Sequence, residues 1–469
     1  MSVTRRAGVL VHPTSLPGRW GAGDIGPQAR RLVRRLGAAG QRLWQILPLT
    51  PTDGGGSPYA GGSAFAADPL LISLDDLIAD GLLRADESPL VTFAEACRGM
   101  SDHTDPAVLR RHKPDIVRTA ARRFLETETL PDVEPGILAW AEFIAPRAGS
   151  TVEIELAVQV LFDRQWAELR AVAAEAEVGI VGDLPIFVGG DSADVQAHPE
   201  LFLLGDDGRP EVVAGCPPDM FSPLGQRWGN PHYDWGAMQE DGFSWWRRRM
   251  VELLKRVDVV RVDHFRGFAA AWTIPADAPD ARMGEWVEAP GVALFEALKE
   301  AVDGAGRTSG GRLPLIAEDL GVITPDVEAL RDRFELPGMK ILQFAFDGDP
   351  EHPFLPPNYE ESSVAYTGTH DNETFRGWYE NTSDLARHHA RVFFSSDGGD
   401  IAWDGIGAVM RSASETAIVP VQDVLGYGNE ARFNTPGTVD GNWSWRLREG
   451  ALTDEALGRL AAVTRESGR

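Results

Sequence analysis

Eight short apolar runs, each bounded by turn residues, limit what this chain can fold into. They read GVLVHP (8–13), RLWQILPL (42–49), GIVGDLPIFV (179–188), DVVRVDHF (258–265), LPLIAEDLG (313–321), MKILQFAF (339–346), SVAYTGTHD (363–371) and AIVPVQDVLG (417–426). Their apolar stretches run on rather than alternating with polar residues, as strands buried on both faces require. Helical periodicity fills the gaps. IGPQARRLVRRLGAAG is amphipathic and stops at Gly40. SWWRRRMVELLKRV precedes the fourth run and GVALFEALKEAVDGAG the fifth, while TPDVEALRDRF follows the fifth, with Thr324 as N-cap and Pro325 at the first helical position. Eight strands alternating with helices predict an α/β chain closed into a (β/α)8 TIM barrel.

One such barrel with insertions accounts for all 469 residues as a single catalytic domain. The uneven spacing locates the insertions. Residues 71–150, between the second and third runs, read as helical and polar. Residues 189–236, after the third, are rich in Gly, Pro, Asp and aromatics. Both exceed an ordinary connection and are expected to surround the C-terminal mouth. The tail from Glu449 reads as one amphipathic helix that packs on the barrel.

Charge narrows the partners. Forty-five basic against seventy acidic residues leave a net charge of -25, which repels phosphate backbones and anionic lipid, so neither nucleic acid nor membrane is expected. No run approaches ~18 apolar residues, and the apolar stretch before His12 is too short for a secretory signal. Two cysteines form neither a metal spacing nor a disulfide framework. A cytoplasmic chain is expected. Fourteen tryptophans suit sugar stacking, though core packing is the default reading.

In this architecture chemistry sits where the strands end. Acids stand at the ends of six of them: Asp183, Asp263, Glu318 with Asp319, Asp347, Asp371 and Asp423. They are expected to converge on one mouth. Arg261 and Asp263 are two apart on a strand and share a face, so Arg261 is expected to hold Asp263 ionised. Glu318 follows LPLIA with no basic neighbour, a setting that raises a carboxyl pKa. One ionised and one protonated carboxyl group suit glycoside chemistry. Alternatively, Arg261–Asp263 is a structural ion pair, AEDLG a helix start, and His264 and His370 satisfied core histidines. Metal is not expected, because no His-x-His, His-x-x-x-His or Cys-rich set occurs. The glycine-rich stretch 52–69 lacks a phosphate-loop lysine. It is either a flexible loop or backbone that approaches a ligand, with Tyr59 as a stacking face.

The motifs HPTSLPG, SPYAGGSAFA, GDLPIFV, VAGCPPDMFSPLGQRWGNPHYDW, RVDHFRG, AEDLG, MKILQFAF, GTHDNET and EARFNTPGTVDGNWSWR occur in that order from about Gly8 to Arg446. Together they resemble the 4-α-glucanotransferases of glycoside hydrolase family 77. The resemblance implies a barrel of the α-amylase type and a retaining double displacement without metal or organic cofactor. It implies an α-1,4-glucan donor and a glucose or maltooligosaccharide acceptor. Position by position, it makes Asp263 the nucleophile, Glu318 the general acid/base and Asp371 the transition-state stabiliser. Arg261 and His370 would flank the reacting sugar. Tyr59, with Ser57 in its loop, would stack on sugar, and Gln226 and Trp228 would lie in a mobile loop over the glucan. Asp347 and Asn434 would make further contacts. Met220 replaces a usual tyrosine, and Asp68 a usual asparagine. Hydrolysis by the same residues and non-catalytic sugar binding are the competing readings.

Overall fold

In the computed structural model, which describes residues 5–52, 54–218, 222–308, 310–438 and 440–469, twelve strands form. In chain order they are β1 (Arg6–Leu10), β2 (Leu43–Gln45), β3 (Gly179–Leu184), β4 (Val212–Cys216), β5 (Gln226–Pro231), β6 (Val259–Val262), β7 (Ala270–Pro275), β8 (Glu285–Glu288), β9 (Leu315–Ala317), β10 (Gly338–Ile341), β11 (Ser363–Tyr366) and β12 (Thr416–Pro420). Eight of them close into a parallel barrel in the order β1-β12-β11-β10-β9-β6-β3-β2. Each barrel strand lies beside the next barrel strand in the chain, as a ring of right-handed βα units requires. All eight apolar runs contribute a strand. The observed strands are shorter than the runs, because the residues beyond them leave the ladder to form the mouth.

Packing inside the ring is tight where β1 meets β2. Gly8 pairs with Leu43, and a Cβ on Gly8 would meet the Leu43 carbonyl oxygen at 2.6 Å and its Cβ at 2.7 Å. Both obstacles belong to the neighbouring strand, so the clash cannot be relieved by turning a side chain. Gly8→Ala is therefore expected to destabilise the chain by about 1–3 kcal/mol, read as a lower urea midpoint at unchanged m. An unchanged midpoint would mean that β1 and β2 separate freely.

A second sheet, antiparallel and ordered β5-β4-β7-β8, stands outside the barrel. It was not among the expected strands. It joins the segment after β3 to the segment after β6, since β4 pairs with β7. The pattern hid it: β8 (EWVE) is exposed along its whole length, so it carries no apolar run. Gln226 and Trp228, expected in a loop, lie on β5. Between β2 and β3 the chain forms helices Leu74–Ala79, Ser88–Ala96, Pro106–Thr127, Pro135–Arg147 and Val152–Glu175. The tail forms helix Asp454–Glu466, which buries Leu457, Leu460, Ala461 and Thr464, and Thr464 Oγ1 accepts from Gln41 Nε2 at 2.9 Å.

Aromatic residues fill the space under the mouth. Trp246 meets Phe268 edge-on at 5.3 Å, and Phe268 meets Phe295 at 5.3 Å. Phe265 and Phe268, just after the fourth barrel strand, are thereby pinned beneath it. Among the described residues no helix is long and apolar enough to cross a membrane.

Candidate active site

Strand register brings the charged residues together. Asp183 on β3 lies directly opposite Arg261 on β6. Arg261 Nη1 reaches both oxygens of Asp183, at 3.0 and 2.9 Å, and Asp263 Oδ1 at 2.8 Å. On the other flank of β6, Val262 pairs with Ala317 of β9. Asp263 and Glu318 are the residues that directly follow these paired strands, whose backbones lie ~4.8 Å apart. A retaining pair needs its carboxyl groups ~5–5.5 Å apart and an inverting pair ~6.5–9.5 Å.

The backbone turns sharply behind Asp263. His264 adopts φ 52°, left-handed and uncommon for a residue with a side chain. The turn aims the His264 N–H at Glu318 Oε2, 2.8 Å away, and Leu320 N–H donates to Glu318 Oε1 at 3.1 Å. Arg266 braces the same corner. Its guanidinium lies 3.6 Å over the Trp286 ring and donates to the Val322 carbonyl.

Electrostatics correct one expectation. Burial pushes Asp263 above the ordinary carboxylate range, and the Arg261 charge, shared with Asp183, does not reverse the rise. Arg261 was expected to hold Asp263 low. Water reaches 26% of the Asp263 side chain through the mouth, which tempers the rise until a ligand covers it. Glu318 is also pushed up by burial, and it has two backbone donors but no directly bonded cation. Of the pair, only Asp263 has a bonded cation that favours its ionised form. Burial opposes the Arg261 charge, but Asp183 and Asp263 outweigh it and push the guanidinium pKa up.

A second set of side chains completes the mouth. Tyr59 lies with its hydroxyl 2.8 Å from Asp183 Oδ2 and 2.9 Å from His370 Nε2. His370 Nε2 is 3.3 Å from Asp371 Oδ2, and Asn434 Nδ2 donates to Asp371 Oδ1 at 2.6 Å. Arg432 fixes the backbone here by donating to the carbonyls of Asp371 and Asn434, each at 2.8 Å. Ser57 Oγ accepts from Tyr59 N–H at 3.2 Å and shapes the loop. Trp228 stands edge-on to His264 at 4.9 Å and donates to Gln226 Oε1 at 3.1 Å.

Four of the six strand ends thus deliver an acid to one cluster: Asp183, Asp263, Glu318 and Asp371. The others do not. Asp423 is buried, accepting from Thr367 Oγ1 and the Phe375 N–H. Asp347 sits at an exposed turn, accepting from Asp349 N–H, with His352 at 3.8 Å. Asp319, beside Glu318, instead ties β10 and Arg331 together through Met339 N–H. The contacts of Asp347 are local because β10 gives way to a 3-10 turn, Leu342–Phe344, before reaching it. Met220 lies outside the described residues. Asp68 accepts from Thr52 and Leu70 N–H and so closes the base of the Tyr59 loop.

Sequence reading missed Trp443, which packs 5.8 Å from Tyr59 and 6.1 Å from His370. It lay within GNWSWR, and its exposed-looking polar surroundings gave no sign that it closes back onto Tyr59 and His370. Asp183 was read only as a strand-end acid, although it joins Tyr59 to Arg261.

The family model for 4-alpha-glucanotransferases of glycoside hydrolase family 77 matches residues 11–145 and 139–453. The chain belongs to this family. The 4-alpha-glucanotransferase of Thermus thermophilus is 44% identical over 100% of both chains. The chloroplastic/amyloplastic 4-alpha-glucanotransferase of Solanum tuberosum is 41% identical over 94% of this chain and 82% of its own. Among solved structures, an amylomaltase from Streptococcus agalactiae in complex with acarbose superposes with a TM-score of 0.91 at 34% identity, covering 99% of this chain and 100% of that one. As a 4-alpha-glucanotransferase the chain is an enzyme that transfers α-glucan segments with retention of configuration through a covalent intermediate, the family's double displacement.

Proposed function

We propose that Asp263 is the nucleophile, Glu318 the general acid/base and Asp371 the residue that stabilises positive charge on the reacting sugar. The donor is an α-1,4-glucan, and the acceptor is the 4-hydroxyl of glucose or a maltooligosaccharide. The observation that carries this reading is that Asp263 and Glu318 directly follow two paired strands, with only Asp263 of the two bonded to Arg261.

Asp263 attacks the anomeric carbon while Glu318 gives its proton to the glycosidic oxygen, and the reducing-end fragment leaves. A β-linked glycosyl ester on Asp263 results. Glu318, now a carboxylate, takes the proton of the acceptor 4-hydroxyl, whose oxygen displaces Asp263 from the same carbon. Two inversions restore the α configuration. The first half needs Asp263 ionised and Glu318 protonated together, the order that their environments favour. Asp371, held by Asn434 and His370, faces the charge that develops at the ring. Tyr59, Ser57, Gln226, Trp228, Asp347, Arg261, His370 and Asn434 are proposed as substrate contacts.

The test is incubation with maltotriose. Glucose plus maltotetraose and longer chains at constant reducing ends establishes transfer to sugar. Glucose and maltose with rising reducing ends would mean that water is the acceptor. Glu318→Gln should lower turnover about 10²–10⁴-fold. An unaffected rate would leave sugar binding without this chemistry.

The raised pair also sets a pH profile. Protonating Asp263 removes the nucleophile and deprotonating Glu318 removes the acid, so kcat/KM should be bell-shaped. Because burial raises both groups, the acid limb should lie well above the ~3.9 of a free aspartate, and the two limbs describe the pair. An acid limb at the free value would show that Asp263 is not desolvated.

A further inference from the structure

A line of hydrogen bonds in the mouth has a direction, and following it backwards leads to a residue outside the proposed machinery. Asp183 takes two bonds from Arg261 and acts as an acceptor, so the Tyr59 hydroxyl donates to it. Tyr59 has one proton, already given. His370 Nε2, 2.9 Å from the same oxygen and 3.3 Å from Asp371 Oδ2, must therefore donate. Burial pushes His370 down, so the ring is neutral and its other nitrogen, Nδ1, carries the lone pair. Among the described residues Nδ1 has no hydrogen-bond partner, although the ring is 94% buried, counting its 6% exposure.

The matching donor stands across a small cavity. His12 follows strand β1 and is buried. Leu47 N–H donates to its Nδ1 at 3.2 Å, which places the His12 proton on Nε2. Burial, with His370 beside it, pushes His12 down to about 3, so this ring is neutral as well. Its Nε2–H has no partner in contact among the described residues. His12 and His370 line the same cavity of about 20 Å³, together with Ser15 and Gln422. That volume holds one water. Gln422 has given its amide nitrogen to the Ala431 carbonyl, which leaves its own oxygen as acceptor for the water's second proton.

We propose that one buried water accepts from His12 Nε2 and donates to His370 Nδ1, making His12 a positioning residue that locks the tautomer of His370. The inference rests on the proposed roles of His370 and Asp371. Its consequence is a single polarity from the Leu47 amide to Asp183: Leu47 N–H to His12, through water to His370, to Tyr59, to Asp183. Arg261 is shared at the far end with Asp263. Remove the His12 donor, and the His370 proton is free to move to Nδ1. Nε2 then presents a lone pair to Asp371 and takes the Tyr59 proton away from Asp183.

The tautomer can be read directly. In full-length chain labelled with ¹⁵N-histidine, with His370→Asn used only to assign the signal, the His370 ring should show a protonated Nε2 and a pyridine-like Nδ1. His12→Phe fills the cavity without a donor. It should mix the His370 tautomers and lower kcat by on the order of 10–100-fold at little-changed KM. His12→Gln restores a donor and should recover most of both losses. A purely structural role for His12 would lower the melting temperature without moving the His370 tautomer. A proton on Nδ1 of wild-type His370 overturns the proposal. So does a His12→Phe chain with wild-type His370 signals and kcat. If His12→Phe does not fold, the wild-type spectrum still decides. Lack of transfer on maltotriose by the wild-type chain would instead remove the functional reading, which the tautomer measurement leaves separate.

Discussion

Asp263→Asn should reduce kcat by about 10⁴-fold or more, the scale at which loss of a covalent nucleophile acts. The substitution keeps the shape of the side chain and replaces a carboxylate oxygen with an uncharged NH2 group. Arg261 retains both bonds to Asp183, so the strand end stays in place. Maltooligosaccharide binding, measured by calorimetry, should persist at near wild-type affinity, because the other proposed contacts are untouched. The paired result, lost turnover with kept binding, separates a nucleophile from a residue that merely holds the strand end. Retention of more than about one hundredth of the wild-type kcat would sink the assignment. So would loss of binding in step with activity, which would point to the structural ion pair as the whole role of Asp263.

The second large effect falls on stability. Arg261 is 3% exposed and is the cation bonded to two acids, Asp183 and Asp263. Arg261→Met keeps the volume and leaves both acids unpaired in the barrel. Breaking a buried pair in this way costs about 3–5 kcal/mol, read as a fall in the urea midpoint. The loss has a pH signature. Burial already raises the folded pKa of Asp263 above its unfolded value, and removing Arg261 raises it further. The native state then binds more protons than the unfolded state, so unfolding free energy falls as pH rises. The variant should be least stable above the raised Asp263 pKa. It should recover as pH drops from there towards the ordinary carboxylate range, opposite to a protein held by ordinary salt bridges. Activity at neutral pH should fall too, because Asp263 keeps its proton. A variant whose deficit is the same at all pH values would mean that neither acid is desolvated.

Both effects share one cause. The mouth gathers Asp183, Asp263, Glu318 and Asp371, and Arg261 is the direct compensating charge for the first two. The site is poised for chemistry at the expense of stability, a trade common at active sites. The Gly8 contact between β1 and β2 belongs to the opposite category, since it concerns packing below the mouth and touches none of these acids.

Much of this was legible before any coordinates. The eight apolar runs predict eight strands because a parallel barrel strand is buried on both faces and must be apolar throughout. That requirement is local and is written in consecutive residues. Arg261 and Asp263 share a face because strand periodicity is two, so their ion pair also follows from spacing alone. The antiparallel sheet was not legible. Its strand β8 is solvent-exposed, and pairing β4 with β7 across more than fifty residues leaves no local trace. Nor could spacing tell which strand-end acids turn inwards. Asp423 and Asp371 look alike in sequence, but Asp423 is spent on Thr367 and Phe375, whereas Asp371 is presented by Asn434 from a distant segment.

The sign of the Asp263 shift was the other thing decided in three dimensions. Sequence supplied the adjacent arginine and hence an expectation of a lowered pKa. Only the fold shows that burial of Asp263 outweighs that arginine, and that Asp183, 78 residues upstream of Arg261, takes a share of the same guanidinium. What the sequence by itself determined is the barrel and the strand-end acids from which the proposed catalytic residues are drawn, because periodicity and residue type act over a few neighbours. What the tertiary structure decided is how those residues share protons and charge, because desolvation and Coulomb interaction depend on every group within reach, whatever its place in the chain.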